Sequence, residues 1–324
     1  MPKTCKQECK RTSIGGQALI EGVMMRGPKK TTMAVRHVVT GEILTESWPT
    51  EAGKRPAFTK WPLIRGVFGF VDSMIAGYKS MMRSADLSGY TELEEQEEAA
   101  KRAAKGEGDG KPAKLEGPVM TILMIVSMVL GVGLAILLFM YLPSAIYNYL
   151  LKPLAPELLD NRFWQSLFEG ILKIAIFVGY VAATSLMKDI RRVYMYHGAE
   201  HKTIFCYEHG LPLTVENVRA QRRFHPRCGT SFMILMLIVG IFIGMLIPTG
   251  LPAGLRAVVK LVLLPLSVGI GYEAIKFCGR HDNWLTRAIS APGTWLQHVT
   301  TKEPTDEMIE CAITAFADVV PEEE

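Results

Sequence analysis

The chain has 324 residues, 49% of them hydrophobic, and a formal net charge of +4. Its apolar residues gather into long uncharged runs, which excludes an ordinary soluble domain, and a basic membrane-facing surface accounts for the charge without a nucleic-acid partner. Six cysteines on a reducing face read as free thiols or metal ligands rather than disulfides.

The start, MPKTCKQECKRTS, is polar and has no signal-peptide pattern. Its Cys5 and Cys9 form a C-x3-C pair with no second pair nearby, which is weak evidence for metal. Residues 13–28, SIGGQALIEGVMMRGP, are a short apolar stretch broken by glycines. Glu21 lies inside it and needs a partner, either Arg26 or the histidine cluster discussed below. Val35, His37 and Val39 alternate with polar neighbours, Thr40–Gly41 supplies a turn, and Glu42–Glu46 returns, so a small β-hairpin closes this first region, 1–59. Residues 60–90 contain an apolar run with Arg65, Asp72 and Lys79 at sevenfold spacing, which predicts an amphipathic helix at the membrane surface. Residues 91–117 are charged and glycine-rich, and read as a short helix followed by a flexible linker.

Residues 118–142 and 230–252 carry no charge, and each is long enough to span a bilayer. Residues 164–187 and 254–277 are weaker candidates. In the former, Glu169 and Lys173 stand four apart and would neutralise each other on one helix face. The expectation is four transmembrane helices, paired in 118–187 and 230–277, with a cytoplasmic motif region at 188–229 and a cytoplasmic tail at 278–324. Orientation follows from the basic residues. The segment before residue 118 holds 19 Lys and Arg and the loop 188–229 holds 8, whereas 143–163 holds only Lys152 and Arg162. Both termini and the motif loop therefore belong in the cytoplasm. In the tail, Thr305 is a credible N-cap, and Met308, Ile309, Ala312, Ile313 and Phe316 form one apolar stripe that should dock.

The chemistry concentrates in YHGAEHKTIFCYE, residues 196–208. If the second span continues as a helix through about residue 205, His197 and His201 sit one turn apart on one face and can bind one divalent cation such as zinc. Glu200 lies at the edge of that face. His197-x-x-Glu200-His201 matches the inverted zinc-protease motif, in which the glutamate is the general base. The remaining ligand would come from His225 or Cys228, in RRFHPRCGTSF at 222–232, or from Glu273. Cys228 has a second reading, as a nucleophile with His225 or His201 as its base. The same cluster would also suit a non-catalytic scaffold in which it only joins helices, and Glu169, Lys173 and Glu273 would suit a transporter.

Taken in order, SIGGQALIEGVMMRGP, PLIRGVFGFVDSMIAGYKSMMRSA, YHGAEHKTIFCYE, FHPRCGTSF and EPTDEMIECAITAF resemble the YqhQ-like family of bacterial multi-pass membrane proteins, a domain of unknown function. The resemblance spans nearly the whole chain. It implies a predicted metal-dependent enzyme and points to His197, Glu200, His201, His225 and Cys228. The fold class expected is mainly α: a polytopic membrane protein with a small N-terminal β element. Its partners would be the lipid bilayer and either a second copy of itself or other membrane proteins.

Overall fold

The structure is a computed structural model that describes residues 12–50, 56–90, 92–93, 118–226, 228–281 and 283–320. The Cys5–Cys9 pair, and the 91–117 linker apart from Glu92 and Leu93, lie outside the described residues.

The N-terminal region forms a four-stranded antiparallel sheet, larger than the expected hairpin. Strands β1 (Gly15–Leu19), β2 (Gly22–Arg26), β3 (Lys30–Arg36) and β4 (Ile43–Pro49) follow one another in sequence and in space. The glycine-broken stretch 13–28 is its first hairpin. It does not alternate apolar and polar because β2, like β3 beside it, is buried on both faces. Val23, Met25 and Ala34 join one apolar cluster, and Met24, Met33 and Val35 join another with Leu87. The β1–β2 turn places Glu21 at φ +50°, a left-handed conformation that costs a non-glycine residue free energy. Arg192 holds it there with two hydrogen bonds of 2.5 Å, and Tyr196 donates a third of 3.2 Å. The partner of Glu21 is therefore neither Arg26 nor the histidine cluster.

Helix α1 (Ile64–Leu87) turns its small residues inward. Gly66, Gly77, Ser80 and Ser84 are buried, while Phe68, Val71, Met74, Ile75, Tyr78 and Met82 are exposed. An apolar outer face on a helix whose small residues face the protein suits a lipid environment.

Three helices are long and apolar enough to cross a membrane: Ile125–Leu154, Arg162–Thr184 and Ala253–Cys278. The first begins as α2 (Pro118–Ile136) and continues through π turns at Leu137–Tyr141 and Tyr147–Leu151. The second is α3 (Arg162–Thr184), where Asn161 caps the N-terminus by accepting the Phe163 N–H at 2.7 Å. It ends sooner than expected. The Thr184 and Ser185 hydroxyls bond back to Val181 and Ala182 carbonyls, a competition that weakens a helix end. The chain then restarts as a separate helix, α4 (Lys188–Glu208), after the short α3–α4 break.

The fourth expected span is shorter than the others. Helix α6 (Gly229–Gly244), which follows the short α5 (Val215–Arg219), has 16 residues. That is about 24 Å of helix against a hydrocarbon core of ~30 Å. The uncharged run to 252 had included Pro248, Gly250 and Pro252, which stop a helix rather than extend it. Helix α7 (Ala253–Arg280) follows. The 284–300 segment is helix α8 (Trp284–Thr300). Asn283 and Thr286 form a capping box at its start, and Pro292 lies within it.

The final helix, α9 (Asp306–Val319), docks as its stripe predicts. Met308, Ile309, Ala312 and Phe316 are buried against Val23, Met25 and Ala34 of the sheet and Tyr196 and Ala199 of α4. This sandwich packs α4 against both the sheet and α9.

Candidate metal centre

One turn of α4 carries His197 and His201 on the same face, with ring centroids 4.4 Å apart. Each imidazole is oriented through its Nδ1. His197 Nδ1 donates to the Thr300 carbonyl at 2.8 Å and His201 Nδ1 to the Arg223 carbonyl at 2.6 Å. A carbonyl only accepts, so both Nδ1 atoms carry the proton, and in the neutral rings that a metal ion requires both Nε2 atoms present a lone pair. Carbonyl-anchored Nδ1 is the usual outer support of a metal-binding histidine.

Cys228, the N-cap of α6, completes the cluster. Its Sγ lies 3.2 Å from His197 Nε2 and 3.3 Å from Thr230 Oγ1. One ligand atom from each of His197, His201 and Cys228 lies within 4.8 Å of the others. Burial works against a thiolate here, but the two imidazoles beside it win and hold the Cys228 thiol well below its usual range. Burial also opposes the His197 cation. The Cys228 sulfur, then Glu200 and the Thr300 carbonyl, outweigh it and raise that histidine to about 9. The pair is therefore ready to exist as thiolate and imidazolium when nothing else occupies the space between them.

Glu200 is buried, and its Oε2 has no hydrogen-bond partner among the described residues; the same is true of His201 Nε2. Burial pushes the Glu200 carboxyl up, the histidines pull it down, and the net direction is upward. The side chain lies on Gly16 of β1. A Cβ at that position would sit 2.8 Å from Glu200 Cδ and Cγ, so only glycine leaves room for the carboxylate. Gly15, Gly16, Glu200, His201, His225 and Cys228 share the wall of one cavity of about 270 Å³.

His225 stands on that wall, outside the ligand triad. Its ring centroid is 5.6 Å from that of His201, and its Nε2 lies 3.8 Å from a Glu208 carboxylate oxygen. Its main chain is clamped by Gln297, which accepts the N–H and donates to the carbonyl, both at 2.7 Å. Glu273 is not brought to the cluster. Helix α7 sets it against α1, where both its oxygens take the Arg65 guanidinium at 2.6 and 2.5 Å. Of the expected donors, the structure thus joins His197, His201 and Cys228, adds Glu200 at their side, and gives Glu273 to a structural ion pair.

The sequence reading missed the supports. Thr300 and Arg223 act through main-chain carbonyls, which have no residue-type signature. Glu303 leaves a trace only in retrospect: it bridges Lys202 at 2.7 Å and Arg223 at 2.5 Å, tying the 300–304 segment to the loop that bonds His201.

The donor chemistry fits a divalent ion. Two neutral imidazole nitrogens and one sulfur are a borderline-soft set that suits zinc and leaves one tetrahedral position open. The partnerless His201 Nε2 supports the fit, since buried polar atoms nearly always have a partner.

Comparison with known proteins gives a family without an activity. Residues 61–322 match the family described as "Protein of unknown function (DUF1385)". The chain is similar to "Uncharacterized protein YqhQ" of Bacillus subtilis (strain 168), with 33% identity over 310 residues, covering 95% of this chain and 92% of that one. No solved structure matches.

Proposed function

We propose that this chain, which belongs to the DUF1385 family, is a multi-pass membrane protein with a metal-dependent hydrolytic site on its cytoplasmic face. The observation that carries this reading is the convergence of His197, His201 and Cys228 within 4.8 Å, beside a buried Glu200 oxygen that no group among the described residues satisfies. The basic residues flanking the spans favour cytoplasmic placement of the site. Helix α6 packs along α7; as the short limb of a membrane hairpin it would make the number of crossings even and return the C-terminus to the cytoplasm.

In this reading His197, His201 and Cys228 hold the ion, and the Thr300 and Arg223 carbonyls keep the imidazoles in the binding tautomer. When bound, a divalent ion supplies a Lewis acid and acidifies water. Glu200 accepts a proton from the attacking water, a task suited by its raised proton affinity. Gly15 and Gly16 keep side chains out of the cavity, leaving backbone and open space beside the carboxylate.

A second reading rests on the 3.2 Å contact between Cys228 Sγ and His197 Nε2, which is also the geometry of an activated thiol nucleophile. Elemental analysis of detergent-purified protein separates the two. The metal reading predicts about one ion per chain, lost in His201→Ala and Cys228→Ser and kept in Glu200→Gln. Metal-free protein whose Cys228 is alkylated rapidly at neutral pH would favour thiol chemistry. Metal-free protein with an unreactive Cys228 would leave the cluster as a structural joint.

A further inference from the structure

A second cavity, of about 250 Å³, lies among the membrane helices. Phe139 and Met140 close it from the α2 extension, Phe177 from α3, Met236 from α6 and Leu263 from α7. Its wall is apolar apart from Lys173, Lys260 and Ser267.

The charges around it do not balance. Glu169 is the acid of this cluster, and two cations already share it. Arg256, fully buried, donates to its oxygens at 2.9 and 3.2 Å, and Lys260 at 2.5 Å. Lys260 also reaches Ser144 Oγ at 2.8 Å. Lys173 is a third basic side chain; it feels the charge of Glu169, but no hydrogen bond or ion pair among the described residues reaches its ammonium. The expected Glu169–Lys173 pairing is only long-range, because α7 supplies Glu169 with two nearer partners. Three cations against one carboxylate in hydrocarbon are costly unless a lysine gives up its proton or an anion completes the set.

We propose that this cavity binds an anionic phospholipid. Its phosphate sits against Lys173 and Lys260, and an acyl chain follows Phe177, Met236 and Leu263. Charge complementarity selects the headgroup, because the site lacks one or two negative charges. The apolar wall selects an amphiphile over a soluble anion, and Met233 on that wall is 41% exposed. The inference needs the bilayer placement of these helices but not the metal centre.

The test is thermal unfolding of the full chain in neutral detergent and high salt, with added phosphatidylglycerol, phosphatidylcholine or oleate. High salt screens lipid attraction to the exposed basic face. Phosphatidylglycerol should raise Tm by roughly 3 °C or more over phosphatidylcholine. That difference should vanish in Lys173→Met and return in Lys173→Arg. Met236→Trp, which fills the cavity and leaves the charges intact, should also abolish it. Native mass spectrometry of the wild type should show phosphatidylglycerol retained in preference to phosphatidylcholine. Equal shifts for the two phospholipids, an undiminished shift in Lys173→Met, or a shift with oleate alone would overturn the proposal. Recovery of the chain from the soluble fraction without detergent would instead overturn the bilayer placement.

Discussion

Replacing Gly198 by alanine sets two ordinary effects against each other. Gly198 lies mid-helix in α4, one residue after His197, and glycine there costs about 1 kcal/mol relative to alanine. On propensity alone Gly198→Ala should stabilise. The structure reverses that expectation. A Cβ on Gly198 would lie 2.0 Å from the Lys302 carbonyl oxygen, so α4 and the 300–304 segment would have to part by more than ~1 Å to restore van der Waals contact. Two hydrogen bonds cross that seam: Lys302 N–H to the Tyr194 carbonyl at 2.8 Å, and His197 Nδ1 to the Thr300 carbonyl at 2.8 Å. Losing them costs about 1 kcal/mol each or more, and forced overpacking adds about 1–3 kcal/mol. After the propensity gain, the net loss should be about 2–4 kcal/mol. Thermal unfolding in detergent reads the stability, and metal titration of the same samples reads the His197 support, which should weaken roughly tenfold or more. Gly179→Ala is the control, because nothing lies within 4 Å of a Cβ there; it should lose no stability. A Gly198→Ala protein as stable as the wild type, with unchanged metal affinity, would refute the claim that close approach of these segments builds the site.

Other outcomes follow from the same contacts. Arg192→Ala strips Glu21 of its two 2.5 Å hydrogen bonds; since Arg192 is half exposed, the cost should be about 2 kcal/mol, below that of a fully buried pair. Asp318 is held down to about 2 by Lys30, Thr32 and Ser47. A depressed carboxyl stabilises the fold above its unfolded pKa of ~3.9 and loses that contribution as pH falls through about 2. Asp318→Asn should therefore lower Tm above pH 4 and match the wild type near pH 2, with a difference of only about 1 kcal/mol because the side chain is substantially exposed. Gly16→Ala should displace Glu200 while leaving His197, His201 and Cys228 in place, so metal content should persist while any hydrolytic activity falls.

Much of the site was legible because helical spacing is simple. A step of four positions from His197 to His201 puts both rings on one face, and the H-x-x-C step from His225 leads to Cys228. Sequence could not choose among His225, Cys228 and Glu273, because that choice depends on which helices pack together. Arg65 of α1 claims Glu273 and Gln297 of α8 clamps His225, and neither pairing has a local pattern. The fold divides similarly. The C-terminal stripe from Met308 to Phe316 announced its docking, whereas β2 was hidden because a strand buried on both faces lacks alternation, and β1 because two of its five residues are glycine. Glu169 and Lys173 are a helical pair by spacing alone; α7 decides otherwise by bringing Arg256 and Lys260 to the same carboxylate.

X-ray absorption at the zinc edge, on purified chain loaded with one zinc equivalent, tests the central claim most directly. The account predicts one sulfur scatterer at about 2.3 Å and two imidazole nitrogens at about 2.0–2.1 Å, with the sulfur lost in Cys228→Ser. A shell of oxygen and nitrogen only in the wild type, or a sulfur that survives Cys228→Ser, would contradict it.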